Sequence, residues 1–221
     1  MAFSQQQPHQ SPLHSILEPQ TTARLTQSPP EPTQLDLKPI LSKHRQSEEI
    51  VAFTLQDIIS PKECQSFIDR SEAIGYDTAL INGVTVNIPG YRDGNRCIID
   101  DHAVAAEMWE RIKLHVPAVY EDRPVIGMNE RLRFLKYGPG DRFQPHLDME
   151  FKRTDGSNHI TKITVQFYLN QDFQGGATSF LEERMSWDED ENYKKVSVTP
   201  KPGQVLVFQH DLVHEGSKKA H

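Results

Sequence analysis

A histidine and an aspartate one residue apart, His146-Leu147-Asp148, and a second histidine far downstream at His214 constrain this chain more than anything else in it. In an extended segment, residues i and i+2 point to the same side. His146 and Asp148 can therefore reach one point while Leu147 turns into packing, and His214 closes the set from a distant strand. Two imidazoles and one carboxylate leave coordination positions open, which suits a non-haem Fe(II). A structural zinc site is closed by four protein ligands instead. His-x-Asp alone is common by chance, so the weight rests on the segments around it.

Those segments read as strands and turns. Arg131 to Asp148 is a strand, a Gly138-Pro139-Gly140 turn and a second strand. Ile160 to Asn170 is a long strand ending in Tyr168-Leu169-Asn170, followed by Gly175-Gly176-Ala177-Thr178-Ser179-Phe180. Pro200 to His210 is a turn and an apolar strand, and His214-Glu215-Gly216 comes after it. Alternation separates two faces. Leu132 and Phe134 oppose Arg131, Arg133, Leu135 and Tyr137; Ile163, Val165, Phe167 and Leu169 oppose Lys162, Thr164, Gln166 and Tyr168. Polar residues on an inward face are costly unless they meet ligand or water, as they do in an active-site cavity.

This ordered series resembles the Fe(II)/2-oxoglutarate dioxygenase superfamily, in particular its prolyl 4-hydroxylase-like branch. A tyrosine on the strand before HxD, then YLN, GGxTxF, PxxGxxxxF and HEG, all occur in order between Glu130 and Gly216, with a weaker likeness around Tyr91 to Cys97. The resemblance implies a double-stranded β-helix (jelly-roll or cupin-like), mainly β, with flanking helices on one of two facing sheets. It implies that His146, Asp148 and His214 hold Fe(II), with 2-oxoglutarate as co-substrate and ascorbate as reductant. The expected reaction is hydroxylation of a C–H bond with release of succinate and CO2. Tyr137 and Tyr168 are expected to line the 2-oxoglutarate pocket, with Thr178 adding a hydrogen bond. Arg133, on the face of Tyr137, is a further pocket candidate that either holds an acidic group or pairs with an internal carboxylate. His210 competes for the third ligand position, but the HEG signature favours His214. The family also places a Lys or Arg about nine to twelve positions after the second histidine, for the distal carboxylate of 2-oxoglutarate. Lys218 and Lys219 are too close to His214 for that, so a domain lacking its C-terminal strand is expected over residues 49–221.

Two alternatives to an active hydroxylase stay open. One is a catalytically impaired oxygenase fold acting as a metal-binding or regulatory module. The other is a different cupin-like metalloenzyme. The substrate is expected to be a protein side chain, prolyl among the options, or a small molecule.

Composition bounds the rest. Residues 1–48 hold seven of the fifteen prolines, with many Gln and Ser and no apolar periodicity, and are expected to be a disordered tail. Their four basic residues balance four acidic ones, so the net charge of −7 belongs to the remainder. An acidic domain is a poor nucleic-acid binder, because phosphate contacts need a basic surface. Two cysteines make no disulfide framework. The N-terminus shows no basic region followed by an apolar run, and no stretch approaches the ~20 apolar residues of a membrane span. An intracellular protein, cytoplasmic or nuclear, is expected.

Two helices precede the strands. Ser60-Pro61-Lys62-Glu63 combines a cap, a proline at the first helical position and a capping box, with Gly75 as the stop. The second runs from Asp100-Asp101 through Val104, Ala105, Met108, Trp109 and Ile112, an apolar face that reads as core. Asp188 to Glu191 reads as a solvated acidic loop, and His102, His115 and His159 read as surface or packing residues. Specificity is expected to live in loops such as Asn82 to Arg96.

Overall fold

The computed structural model describes residues 16–17, 30–79, 90–182 and 193–219. The first half of the chain forms strands β1 (Thr33–Gln34), β2 (Ala52–Leu55), β3 (Asp77–Thr78), β4 (Asn95–Asp100), β5 (Val119–Tyr120) and β6 (Arg123–Pro124). Helices α1 (Pro61–Ile74) and α2 (His102–Ile112) are interleaved with them. Then follow β7 (Arg131–Lys136), β8 (Phe143–His146), β9 (Ile163–Phe167), β10 (Thr178–Leu181), β11 (Lys195–Val198), β12 (Val205–Gln209) and β13 (His214–Gly216).

Two four-stranded antiparallel sheets carry the fold. One has the order β1-β2-β12-β9 and the other β11-β10-β13-β8. Strand β12 lies inside the first sheet and its five residues are all buried. Its alternation explains how it serves two cores at once. Val205 and Val207 join Phe53, Leu55, Phe67, Ile99 and Met108 beneath the helices. Leu206 and Phe208 join Tyr168, Phe180 and Val198 between the two sheets. A third sheet, β3-β4-β7, pairs Arg96 with Leu135, Ile98 with Arg133 and Asp100 with Arg131.

Both helices form where their caps predict. The Ser60 hydroxyl accepts from the Glu63 amide at 3.2 Å, and the Glu63 carboxylate accepts from the Ser60 amide at 2.6 Å. Asp101 caps α2 by accepting from the amides of Ala103 and Val104 at 3.0 Å each. Met108 is buried and Trp109 packs partly buried on the same cluster, as core residues rather than a binding stripe. Glu63, fully buried, is also held by Arg111 through Nη1–Oε2 at 3.1 Å and Nη2–Oε1 at 2.9 Å, locking α1 to α2. The turn before β12 requires Gly203 at φ +82°, where a Cβ would lie 2.4 Å from the Ile59 carbonyl oxygen.

The boundary expected at residue 48 is corrected. Residues 30–48 are part of the folded body: β1 extends the first sheet, and Leu37 and Ile40 are buried with Tyr168 and Phe208. Arg45 reaches across to Asp211 at 2.8 Å. Proline-rich composition outweighed the four apolar residues Leu35, Leu37, Ile40 and Leu41, which are too closely spaced to show a period. Leu17 also packs in the helix-side core. The remaining tail, the loop 82–89 and the acidic run Asp188 to Glu191 lie outside the described residues.

Candidate metal centre

His146 ends β8 and His214 begins β13, and the antiparallel register sets them opposite each other. Their ring centroids lie 4.3 Å apart. Asp148, two residues beyond His146, presents Oδ1 at 3.9 Å from His146 Nε2 and Oδ2 at 3.9 Å from His214 Nε2. All three ligand atoms fall within 4.8 Å of one another. Among the described residues, the metal-ligating cluster consists of these three, and His210 is outside it.

The protonation of both rings follows from their neighbours. His146 Nδ1 faces the Gln144 carbonyl oxygen at 2.7 Å, and His214 Nδ1 faces that of Leu212 at 2.9 Å. A carbonyl only accepts, so each Nδ1 carries a proton, and it is Nε2 of each ring that is turned toward the shared point. Burial, then the neighbouring His214, push the His146 pKa down to about 4. His146 is thus neutral at pH 7, the form that binds a metal. The Thr164 hydroxyl donates to Asp148 Oδ2 and fixes the carboxylate from behind. Two imidazoles that turn Nε2 inward and an oriented carboxylate fit Fe(II).

Aromatic rings hold the histidines. Phe143 stacks on His146 with centroids 3.5 Å apart, and Phe208 meets His214 edge-on at 4.7 Å. Phe143 and His146 share a side despite an odd spacing because two residues on β8, Gln144 and Pro145, oppose the single Glu215 on β13, a β-bulge. Simple alternation could not have found Phe143. Pro145, which donates no hydrogen bond, is tolerated because β8 is an edge strand.

The other expected site residues cluster around one end of the centre. Thr178 pairs with Gly216 across β10 and β13. A Cβ on Gly216 would lie 4.0 Å from the Tyr137 hydroxyl, so Gly216 leaves room between that hydroxyl and Thr178. The Tyr137 ring rests on Gly94 (φ +90°), where a Cβ would come within 3.0 Å of it. Tyr168 is buried, its pKa pushed up to about 12 by desolvation, and its hydroxyl donates to Thr178 Oγ1 at 2.8 Å. Gln166 Nε2 donates to the same oxygen at 3.1 Å.

The basic candidates separate. Arg133 keeps the face of Tyr137, as the alternation predicts, and donates to the Arg131 carbonyl at 3.4 Å. The internal carboxylate of that face, Asp100, is taken by Arg131 instead, through bonds of 2.9 and 2.8 Å. Lys162 is drawn to Glu121 at 2.7 Å and to Glu150. Lys219 donates to the Tyr137 carbonyl at 3.1 Å and lies 4.9 Å from the Phe173 ring centroid.

A family model described as "2OG-Fe(II) oxygenase superfamily" matches residues 132–221. Among solved structures, a prolyl-4-hydroxylase from Pseudomonas putida aligns with a TM-score of 0.51 at 18% identity, covering 80% of this chain and 89% of that one. A viral collagen prolyl hydroxylase from Paramecium Bursaria Chlorella virus-1, in complex with 2OG, aligns with a TM-score of 0.47 at 18% identity, covering 76% and 87%. At such identity the Pseudomonas likeness speaks for the fold alone, and the fold it matches is the double-stranded β-helix built by the two facing sheets. No curated protein matches the chain. The ligand set His146, Asp148 and His214 lies inside the matched region, so residues 132–221 are similar to the 2OG-Fe(II) oxygenase superfamily in the part that carries the candidate metal centre.

Proposed function

We propose that this protein is a hydroxylase that oxidises a C–H bond of a protein side chain, prolyl among the options, or of a small molecule. The observation that carries the reading is the ligand set itself: two Nε2 atoms and one carboxylate converge within 4.8 Å, with both Nδ1 protons already committed to backbone carbonyls. Fe(II) held there supplies, with 2-oxoglutarate and O2, oxidative decarboxylation to succinate and CO2 coupled to hydroxylation, with ascorbate as the reductant.

The chain's own part is to bind, orient and exclude water. Thr178 Oγ1 accepts hydrogen bonds from both Tyr168 and Gln166, which leaves its own proton to donate. We assign that proton to a carboxylate oxygen of 2-oxoglutarate, with the Tyr137 hydroxyl as a second donor. Tyr168 then acts by positioning Thr178. Room at Gly216, between these two hydroxyls, supports this assignment. Phe143, Phe180 and Phe208 wall the histidines and keep water from the side opposite the open positions.

No helix among the described residues is long and apolar enough to cross a membrane. Cys64 and Cys97 are free and buried, in keeping with a reducing compartment, and we place the activity inside the cell. The net charge of −7 favours a substrate other than nucleic acid.

The test is anaerobic titration of the Fe(II)-loaded chain with 2-oxoglutarate, following the visible charge-transfer band of the chelate, then succinate release on admitting O2. A saturating band followed by succinate is expected. Metal binding without band or succinate would instead favour a non-catalytic metal-binding module, and turnover indifferent to 2-oxoglutarate a different metalloenzyme.

A further inference from the structure

On the face of β4 and β7 that turns away from the helix-side core stand three arginines, Arg96, Arg131 and Arg133, and Arg92 lies between that face and the metal centre. Cross-strand partners share a face, so Arg96 and Ile98 stand with Leu135 and Arg133, and Asp100 stands with Arg131. Asp100 neutralises Arg131 through two hydrogen bonds. That leaves Arg96 and Arg133. Among the described residues no ion pair reaches either of them, and Arg96 keeps a buried Nε without a hydrogen-bond partner. Arg92 adds charge at the near end. Its guanidinium lies 4.6 Å from the centroid of Phe143, the ring stacked on His146.

Guanidinium groups repel one another, and a protein seldom gathers them without an anion to hold. Burial, then Arg92, Arg133 and Arg131, depress the pKa of Arg96. Arg133 is depressed by desolvation, then by Arg131 and Arg92, although its surface is open to solvent. Asp148, one of the metal ligands, is among the charges that act on Arg133. All this occurs in a chain of net charge −7, so the patch is a local exception.

Arg133 is also badly placed to serve 2-oxoglutarate. It stands four residues before Tyr137, about 13 Å along an extended strand, whereas the Tyr137 hydroxyl is the one that faces Gly216. We infer that Arg96 and Arg133 form the subsite for a carboxylate on the primary substrate, which they hold next to the metal in the fork geometry that guanidinium offers. The inference rests on the hydroxylase reading above, and it narrows the substrate class to acids: a free organic acid or an acidic side chain near the oxidised carbon.

The test uses the full chain, loaded anaerobically with Fe(II) and saturated with 2-oxoglutarate so that the co-substrate pocket is filled. Two carboxylate probes, acetyl-(Glu)4-amide and glutarate, are titrated calorimetrically beside acetyl-(Gln)4-amide. At least one carboxylate probe is expected to bind and the glutamine peptide is not; preference between the two acids identifies peptide or free acid. Arg96→Gln and Arg133→Gln should each weaken that binding at least tenfold, and Arg133→Lys by less. Equal binding of the Glu and Gln peptides, binding by neither acid, or binding indifferent to both substitutions would overturn the subsite. So would a tenfold loss of 2-oxoglutarate affinity in Arg133→Gln with acid binding intact, since the arginines would then serve the co-substrate. Thermal melts and Fe(II) binding of each variant separate misfolding from lost recognition, and Arg133→Lys keeps the test decisive if a glutamine variant unfolds. Failure of the hydroxylase reading appears separately, as absence of the chelate band in the unsubstituted chain.

Discussion

The hydroxyl of Thr164 donates to Oδ2 of Asp148, the same oxygen that faces His214 Nε2 at 3.9 Å. One proton therefore orients the carboxylate that completes the ligand set. A ligand free to rotate must be ordered when the metal arrives, whereas one already held costs less to engage. Thr164→Val keeps the branched shape on β9 and removes only the donor. It should weaken Fe(II) affinity about 10- to 100-fold with little change in melting temperature. Competition with a metallochromic chelator measures the first and circular dichroism the second.

Removing a ligand outright should act more severely. Asp148→Ala or His214→Ala leaves two donors, and stoichiometric Fe(II) binding should be lost in both. His210→Ala should leave it intact, because His210 stands outside the ligand cluster among the described residues. Equilibrium dialysis with metal analysis distinguishes the three. Tight binding retained in Asp148→Ala would refute the triad.

What could be read from the chain beforehand followed local rules. The i, i+2 pairing of His146 with Asp148, the capping box at Ser60 and the two-faced alternation of β9 each depend on near neighbours, and each is realised. The stacking of Phe143 on His146 depends on a bulge produced by pairing with β13, and no local period encodes it. The alternation of β9 turns Thr164 inward, but its partner Asp148 is set by the tertiary approach of β9 to the HxD turn, which no local pattern encodes. Residues 30–48 failed for a related reason. Their apolar side chains are buried by the sheet edge and by Arg45–Asp211, contacts that span the length of the chain.

Glu63 offers the strongest single test of the scaffold. It is wholly buried, it completes the α1 capping box, and both its oxygens face Arg111. Replacing it with Ala leaves the buried Arg111 with the part-exposed Glu107 as its counter-charge at 3.1 Å, so the loss should fall at or below the about 3–5 kcal/mol of breaking a buried pair. Replacing both partners, as Glu63→Met with Arg111→Met, frees only Glu107, which reaches solvent, and should cost less than Glu63→Ala alone. Urea denaturation of the three proteins checks the order; a double variant no more stable than Glu63→Ala contradicts it.

Acid should loosen the Arg131 side of the fold before it touches the cores. The hydrogen bond from Arg131, outweighing partial burial, holds the Asp100 carboxyl below its ordinary value. A depressed carboxyl contributes stability that is fully present above its unfolded pKa, about 3.9, and is lost as pH falls through the folded value. The ion pair is partly open to solvent, so screening limits the effect to about 1 kcal/mol or less. Asp100→Asn should therefore lower stability modestly at pH 7 and reduce the fall in stability below pH 4. Urea midpoints measured from pH 7 to pH 3 on the metal-free chain report both. An unchanged acid limb would mean that Asp100 titrates alike in the folded and unfolded states.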